Sequence, residues 1–341
     1  MLLLKIQRHN FFKISNLKID YPLKFYPILK ERLWGGFKLN SLLHKEKSEQ
    51  PVGESWEISA VKGSVSVVAN GDLKGWNLRD LINRFPLELL GQSVLDRYGK
   101  EFPLLIKFLD AHADLSIQLH PNDDLAKQRH QSLGKEEMWY IMEAEKDSRL
   151  MFGFNQKLEK VSYSKHLKED TLESLLHFEK VQKGEVFHIP AGRVHAIGGG
   201  IVLAEIQQSS DITYRIYDWK RLDEQGNPRT LHTDLALEAI DFNIPENYKT
   251  QYLDVKDQKN TLINGQYFKT KWMNLTIPMK FDLVLNDTFI IYVVVEGKGK
   301  IKFDENEIAI QIGETLLIPA QLQQFSIVPD SNGIKLIQVT P

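Results

Sequence analysis

The segment from Gly184 to His195 constrains the fold of this chain more than any other. It reads G-x5-P-x-G-x2-H, with Gly184, Pro190, Gly192 and His195 at the fixed positions. Glycines supply the backbone freedom that a sharp corner needs, and proline fixes φ and ends a strand ladder. The pattern therefore predicts a strand, a tight turn and a second strand, which opens with a histidine that points into a small barrel.

The same corner pattern recurs near the C-terminus. Residues 313–324 repeat its G-E-x-x-x-I-P-A order, with Gln324 in the place of His195. Further upstream, a second match aligns Ile290 with Glu137. Self-similarity of this kind predicts a second copy of the barrel unit that has lost its polar residues, and the alternative is a chance match between short segments.

Length and pattern together predict a mainly β protein with more than one domain. A chain of 341 residues is too long for one minimal domain. After Pro245 the pattern is strand-like to the end. We expect an N-terminal extension over residues 1–20, followed by a catalytic jelly-roll-like barrel with helical segments over residues 21–244. A second, smaller β domain without metal ligands is expected over residues 245–341.

Local periodicity places the main elements. Apolar runs and period-two alternation predict strands over residues 102–109, 115–120, 134–143 and 201–208. Apolar residues at helical spacing predict helices over residues 77–98 (broken at Pro86), 165–180 and 232–242.

Composition excludes several classes of function. There are no cysteines, so disulfides and thiol nucleophiles are excluded, and any metal needs nitrogen and oxygen ligands. The formal net charge of −2 gives no global attraction to nucleic acid or to anionic membranes. The longest apolar runs, such as residues 289–295, are far shorter than the ~20 residues of a spanning helix. No signal peptide is evident, so we expect a cytoplasmic protein.

Polar residues at period two suggest a metal site. Ser116, Gln118 and His120 share one face of a predicted strand, and Lys135 and Glu137 share a face of another. An inward carboxylate needs a cation, because burying an unpaired charge costs several kcal/mol. The histidine of a lone Q-x-H segment is more often structural than a metal ligand. The additional histidine at the corner reverses this preference and favours a metal site. Nitrogen and oxygen ligands suit one catalytic zinc ion, bound by Gln118, His120, Glu137 and His195.

The order and content of six motifs resemble the type I mannose-6-phosphate isomerase family of the cupin superfamily. The resemblance covers roughly two thirds of the chain, and the tail resembles the family's extra β domain. The motifs are Trp34-Gly-Gly, Gly53-Glu-Ser-Trp-Glu-Ile-Ser, Leu115-Ser-Ile-Gln-Leu-His-Pro, Gly134-Lys-x-Glu, Pro190-Ala-Gly-x-Val-His-Ala-Ile and Ser210-Asp-Ile-Thr-Tyr-Arg-Ile-Tyr-Asp-Trp.

This resemblance implies a cupin fold and a zinc-dependent isomerase. The expected reaction interconverts mannose 6-phosphate and fructose 6-phosphate by proton transfer between C1 and C2 through an enediol(ate). The implied zinc ligands are the four residues named above. Gln118 stands where the broader cupin pattern has histidine, as in this family, and Gly199 replaces the motif's closing asparagine. Glu136 is the alternative to Glu137 as a ligand, although strand period and family spacing favour Glu137.

The resemblance also implies the remaining site residues. Arg215 would stabilise negative charge or assist ring opening, and the family places site lysines at Lys107 and Lys135. Glu205 and Asp211 compete as the acid–base group. Candidate substrate or phosphate contacts are Trp34, Ser116 and Arg221.

Each of these residues also has a structural alternative. Lys107 could be a lysine with a buried stem whose ammonium group reaches water. Lys135 could be an exposed, charged residue in a turn. Lys220 and Arg221 could form a solvated pair. Two other functions stay open: another metal-dependent sugar-phosphate isomerase, and a sugar-binding cupin without turnover.

Overall fold

The computed structural model describes residues 17–222, 226–283 and 287–341. Most of the predicted N-terminal extension therefore lies outside the described residues.

The prediction of a mainly β protein is confirmed. The strands, in chain order, are β1 (Leu23–Lys24), β2 (Ile28–Gly36), β3 (Val52–Ile58), β4 (Leu104–Ala111), β5 (Ile117–Leu119), β6 (Glu137–Ala144), β7 (Arg149–Phe154), β8 (Leu176–Lys180), β9 (Val186–Ile189), β10 (His195–Ile197), β11 (Ile201–Gln208), β12 (Tyr214–Tyr217), β13 (Lys259–Asn264), β14 (Lys269–Leu275), β15 (Met279–Asp282), β16 (Ile290–Phe303), β17 (Asn306–Gln311), β18 (Thr315–Ile318) and β19 (Gln324–Thr340).

The helices are short and lie between strands. They are α1 (Lys38–Ser41), α2 (Leu78–Arg84), α3 (Pro86–Leu90), α4 (Gln92–Tyr98), α5 (Asp123–His130), α6 (Lys160–Lys168) and α7 (Thr233–Ala239). As predicted, Pro86 interrupts the helical stretch over residues 77–98, where it opens α3. No helix in the described ranges is long and apolar enough to cross a membrane. The cytoplasmic location stays a prediction.

The predicted helix over residues 165–180 is wrong in its second half. The helix α6 ends at Lys168, a 3₁₀ turn follows over Leu172–Leu175, and residues 176–180 form strand β8. That strand pairs with β7, so a non-local hydrogen-bond ladder decides its conformation. Leu172, Leu175 and Leu176 are buried in the observed turn and strand, so leucines at helical spacing do not by themselves distinguish a buried helix from this arrangement.

Two antiparallel sheets face each other in the first part of the chain. One has six strands in the order β2-β3-β4-β11-β6-β9, and the other has five in the order β12-β5-β10-β7-β8. Between them lies a core to which the six-stranded sheet contributes Leu109 and Leu203, and the five-stranded sheet contributes Phe152 and Ile197. These two sheets form the barrel that the corner motif predicts.

A third sheet contains most of the residues after 258. It has eight strands, with β1-β18-β16-β19-β14-β13 as its main path. The strand β1 comes from the start of the described chain and pairs Leu23 with Leu317. This sheet shares a core with the outer face of β11, where Val202 and Ile206 cluster with Val293 and Ile337.

The predicted internal repeat is confirmed by strand register. In the first barrel Glu137 pairs with Ile189, and in the second unit Ile290 pairs with Ile318. Both isoleucines of the second unit are buried in an apolar core. The repeat thus preserves the pairing and replaces the inward carboxylate by a hydrocarbon side chain.

Candidate metal centre and substrate pocket

The inner face of the six-stranded sheet changes from apolar to polar along its strands. In β11, Ile201 and Leu203 pack into the core between the sheets. Because alternate residues share a face, Glu205 and Gln207 continue the same face, and both are buried. The sheet therefore presents buried polar groups at one end of the barrel.

Neighbouring strands add to this polar end. Lys107 of β4 is the cross-strand partner of Glu205, and Glu137 of β6 is the partner of Gln207. Cross-strand partners place their side chains on the same face of the sheet. Three strands therefore bring two carboxylates, an ammonium and an amide together inside the barrel.

The opposite sheet supplies the histidines. His195 opens β10 and pairs with Gln118 of β5. At the corner Gly192 has φ of +83°, and a Cβ there would lie 2.6 Å from the carbonyl oxygen of Ala239, so this position requires glycine. The amide of Gly192 donates to the carbonyl of His120 at 2.8 Å. The corner thereby fixes the position of both histidines.

His120, Glu137 and His195 form a cluster with the chemistry of a metal site. Their ligand atoms all lie within 4.8 Å of one another, and all three side chains are buried. His120 Nε2 is 3.3 Å from Glu137 Oε1, and His195 Nε2 is 3.8 Å from Glu137 Oε2. Within the described chain, His195 Nε2 and Glu137 Oε2 have no hydrogen-bond partner. The ammonium nitrogen of Lys135 lies 2.6 Å from Glu137 Oε1 and 3.2 Å from His120 Nε2. Four converging acceptor atoms, two of them without a donor, fit a bound divalent cation.

Main-chain carbonyls orient the two imidazoles. The Nδ1 atom of His120 is 2.8 Å from the carbonyl oxygen of Ile212, and that of His195 is 2.9 Å from the carbonyl oxygen of Arg193. A carbonyl only accepts, so each Nδ1 carries the proton. Each Nε2 then presents a lone pair towards Glu137, which is the tautomer that a metal ligand needs.

The charges of the cluster follow from burial and from Lys135. Burial lowers the pKa of His120 to about 4, and the positive charge of Lys135 acts in the same direction. Burial also lowers the pKa of His195, against the attraction of Glu137. For the Glu137 carboxyl burial raises the pKa, but Lys135, 2.6 Å from Oε1, and His120 together lower it well below its usual value. Two neutral histidines and one carboxylate are the protonation states that bind metal.

Glu136 points away from this cluster. Its Oε1 atom lies 3.0 Å from Nε2 of His188, a half-exposed residue of β9. Its amide donates to Oε1 of Gln208 at 2.9 Å. Of the two adjacent glutamates, only Glu137 points inward.

The cluster lies beside a pocket of about 490 Å³. All three residues of the cluster are almost fully buried, and of them His195 lines the pocket. Nine of the residues predicted from sequence line its wall, namely Trp34, Lys107, Ser116, Gln118, Lys135, His195, Glu205, Asp211 and Arg215.

Lys107 is held in a buried charge network. Its ammonium lies 2.8 Å from Glu205 Oε1 and 5.2 Å from the centre of the Trp56 ring. Burial lowers the pKa of Lys107, but Glu205 and Glu54 outweigh it, so the net pKa is raised and the ammonium stays charged. Glu205 accepts a second hydrogen bond from the Trp139 indole at 3.2 Å.

Close approach of two strands sets the position of Trp34. A Cβ on Gly53 would lie 2.6 Å from the Trp34 ring, and a Cβ on Gly35 would lie 2.4 Å from the Gly53 nitrogen. Both positions therefore require glycine. Because Gly35 and Gly53 have no side chains, Trp34 can reach the pocket.

The predicted arginines differ in position. Arg215 lines the pocket, where Nε donates to Ser116 Oγ at 3.3 Å and Nη1 donates to the Thr230 carbonyl at 2.9 Å. Partial burial lowers the pKa of Arg215, and nearby Arg229 lowers it further. Arg221 instead donates to the Asp114 carbonyl at 2.6 Å and to Asp218 at 2.5 Å, and it does not line this pocket.

Several pocket residues were not singled out from sequence, namely Lys30, Arg32, Glu54, Trp56, Ser64, Thr213 and Arg229. Lys30 and Arg32 share a face of β2 with Trp34, so period-two spacing from Trp34 could have identified them. Glu54 and Trp56 lie within a quoted motif. Arg229 follows a loop and is held by Asp218 through bonds of 2.7 and 2.6 Å, and no local pattern marks it.

Comparison with known proteins agrees with this geometry. Residues 23–165 match the family model "Phosphomannose isomerase type I, catalytic domain", and residues 258–339 match "Mannose-6-phosphate isomerase, cupin domain". Mannose-6-phosphate isomerase ManA of Bacillus subtilis is 37% identical over 309 residues, which are 90% of this chain and 95% of the relative. The chain belongs to the type I phosphomannose isomerase family. The predicted family, cupin fold and isomerase class are therefore confirmed.

A further relative and a solved structure match this chain over most of their lengths. The mannose-6-phosphate isomerase of Streptococcus mutans is 32% identical over 89% of this chain and 94% of the relative. The crystal structure of the mannose 6-phosphate isomerase from Bacillus subtilis superposes with a TM-score of 0.84 and 30% identity. That superposition covers 94% of this chain and 99% of the other.

Proposed function

We propose that this protein interconverts mannose 6-phosphate and fructose 6-phosphate. The observation that carries the proposal is the buried cluster of His120, Glu137 and His195 beside a polar pocket, in a chain of this family. The reaction transfers a proton between C1 and C2 of the open-chain sugar, through an enediol(ate).

We propose zinc as the metal, one ion per chain. His120, Glu137 and His195 would bind it, and Gln118, the cross-strand partner of His195, would supply an amide oxygen as the fourth ligand. Nitrogen and oxygen ligands suit zinc. When bound, zinc supplies a Lewis acid for the oxygens at C1 and C2.

The positive groups of the pocket stabilise negative charge on the substrate. Arg215 stays protonated because a guanidinium keeps its proton at neutral pH even when its pKa is lowered. It is therefore proposed to stabilise the enediolate or to assist ring opening. Lys107 and Lys135 are buried cations that line the same pocket, and their positive charges favour the development of negative charge on the substrate.

The proton-transfer group is proposed among Glu205 and Asp211. Glu205 is already engaged by Lys107 and by Trp139. Asp211 is exposed and lines the pocket, in the loop between β11 and β12, so it is open to solvent and to the pocket. This difference favours Asp211 for proton exchange and Glu205 for fixing the Lys107 ammonium. General acid–base help of this kind contributes about 10²–10⁴ in rate.

The phosphate and hydroxyl groups of the substrate are proposed to bind at the pocket wall. Trp34 and Ser116 lie there, as does Arg229. Arg221 does not line the pocket, but it binds Asp218, which also binds Arg229. The catalytic domain is proposed to span residues 21–244, with the second cupin-like domain following over residues 245–341.

The test is an activity assay combined with a metal analysis. The purified protein is expected to contain about one zinc per chain and to convert fructose 6-phosphate to mannose 6-phosphate. A chelator should abolish turnover, and added zinc should restore it. Full activity of metal-free protein would refute the mechanism, and zinc-loaded protein without turnover would favour a sugar-binding role.

A pair of histidine variants tests the ligand assignment. His195→Ala should lose both zinc and activity, whereas His188→Ala, a change one strand earlier in the same corner, should keep both because His188 faces Glu136 outside the cluster. Retention of zinc and turnover in His195→Ala contradicts the proposed ligand set.

A further inference from the structure

Gln207 is a buried amide that has no part in the proposed reaction. Its exposed fraction is 0%, and it is the cross-strand partner of Glu137. Cross-strand partners share a face, so the Gln207 side chain lies beside the proposed metal ligand inside the barrel.

The amide nitrogen of Gln207 holds the turn that follows β11. Nε2 donates to the carbonyl of Gln208 at 2.8 Å and to the carbonyl of Ser210 at 2.7 Å. The amide orientation is unambiguous, because the oxygen in that position would face two other oxygens. Both hydrogens of one nitrogen are used, so the turn is fixed at two points.

This turn leads directly to two elements of the site. Asp211 follows Ser210 and lines the pocket. The carbonyl of Ile212 accepts the Nδ1 proton of His120 at 2.8 Å. A continuous path of hydrogen bonds and two peptide units therefore joins Gln207 to His120.

Stability alone does not favour an amide at this position. The oxygen Oε1 of Gln207 is buried and has no hydrogen-bond partner within the described chain. A buried acceptor without a donor costs free energy that an apolar side chain would not cost. The presence of an amide here therefore calls for a reason other than stability.

We propose that Gln207 is a positioning residue, which holds the 208–212 turn so that His120 presents Nε2 to the metal and Asp211 faces the substrate. This role rests on the proposed metal-dependent function. Outer-shell partners of metal ligands typically affect metal affinity by about 10–100-fold. Gln207 acts one step further out, through the Ile212 carbonyl.

The test replaces the amide by a side chain of similar length, Gln207→Met, and uses Co²⁺ as the metal probe. Chelator competition should show a Kd for Co²⁺ raised by about tenfold. The visible absorption spectrum of the Co²⁺ form should change, since the imidazole is less well oriented. With saturating metal, kcat should fall and KM for fructose 6-phosphate should change little, because Gln207 touches no substrate.

Asn260→Leu is the matched control. Asn260 is also buried and donates one amide nitrogen to two main-chain carbonyls, those of Val255 at 2.8 Å and Gln258 at 3.4 Å, but in the C-terminal part of the chain. It should lower thermal stability and leave the Co²⁺ Kd, spectrum and kcat unchanged. If Gln207→Met behaves like this control, the proposed role is refuted.

A second variant and an NMR measurement test the proposal if Gln207→Met folds poorly or if no metal is bound. Gln207→Asn keeps a buried amide but is one carbon shorter, so it should fold and still lose the turn contacts. In the metal-free unmodified protein, ¹⁵N NMR should show His120 as a single tautomer with the proton on Nδ1. In either Gln207 variant, the same measurement should show a mixture of tautomers. An unchanged tautomer in both variants overturns the role of Gln207. Failure of the unmodified protein to bind Co²⁺ counts instead against the metal centre.

Discussion

His195 and Gln118 face each other directly across the antiparallel strands β10 and β5. Neither strand exceeds three residues, yet the corner and the Q-x-H segment meet there in register. His195 also pairs with Phe152 of β7 on its other side, so one side chain joins the polar site to the apolar core of the barrel. Strands therefore position three of the proposed ligands, Gln118, Glu137 and His195, while His120 directly follows the end of β5.

Adjacent glutamates provide a direct test of the inward position. Glu137→Gln removes the one carboxylate of the cluster, and zinc affinity should fall by more than the about 10–100-fold expected for an outer-shell change. Glu136→Gln should lose only the outward contact with His188 and keep its zinc. Metal content after dialysis, measured together with turnover, distinguishes the two. Equal losses in both variants would contradict the inward assignment.

The buried Lys107–Glu205 pair should be important for stability as well as for activity. Lys107→Met leaves the Glu205 carboxylate buried without its cation, and we expect a loss of about 3–5 kcal/mol in the free energy of unfolding. Urea denaturation measures this change. The control Lys180→Met breaks a pair of similar length, 2.7 Å against 2.8 Å, which Lys180 forms with Asp147 on the surface, and it should cost less than about 1 kcal/mol.

A second substitution tests the cause of that loss. Adding Glu205→Gln to Lys107→Met removes the unpaired charge and should recover part of the stability. No recovery would mean that packing around Lys107, rather than its charge, is what the single variant disturbs.

The metal-free protein should lose stability in mild acid. Burial, helped by Lys135, lowers the pKa of His120 from 6.5 to about 4. The unfolded chain therefore takes up a proton near pH 6.5, while the folded protein does so only near pH 4. Stability from this difference is complete above the unfolded pKa and is lost as pH falls through this window.

We expect the free energy of unfolding to decrease by roughly 1–3 kcal/mol between about pH 7 and 4.5, measured by urea denaturation. The lowered pKa of Glu137 acts in the same direction at still lower pH. His120→Leu should show a shallower pH dependence, and an equally steep one would exclude His120 as its source.

Arg229 should affect substrate binding more than Arg221. Both guanidinium groups bind Asp218, but only Arg229 lines the pocket. Arg229→Gln should raise KM for fructose 6-phosphate by about tenfold or more, as expected for losing a charge-assisted hydrogen bond to phosphate. Arg221→Gln should raise KM less, and steady-state kinetics compares them. The reverse order would favour Arg221 as the phosphate contact.

Much of the barrel was predictable because its signals are local. The apolar run in residues 201–206 gives the strand, and the corner motif gives the turn before His195. The repeat at residues 313–324 has the pairing expected from the first corner. Each of these signals needs only about ten consecutive residues.

The rest depends on contacts between distant segments. The strand β8 and the pocket position of Arg229 are set by pairing with β7 and by bonds to Asp218, neither of which is visible in a short window. Similarly, the outward position of Arg221 follows from Asp218 and Asp114. Spacing along the chain cannot determine which of two nearby arginines reaches a pocket.

The pairing of β1 with β18 has a consequence for biosynthesis. Lys24 and Glu314 form an ion pair across this junction, and 290 residues separate them in sequence. At about 5–20 residues per second, a ribosome needs roughly 15–60 s to make the segment between them. The strand β1 is thus synthesised well before its partner β18, so the first barrel can form while the eight-stranded sheet still lacks β1.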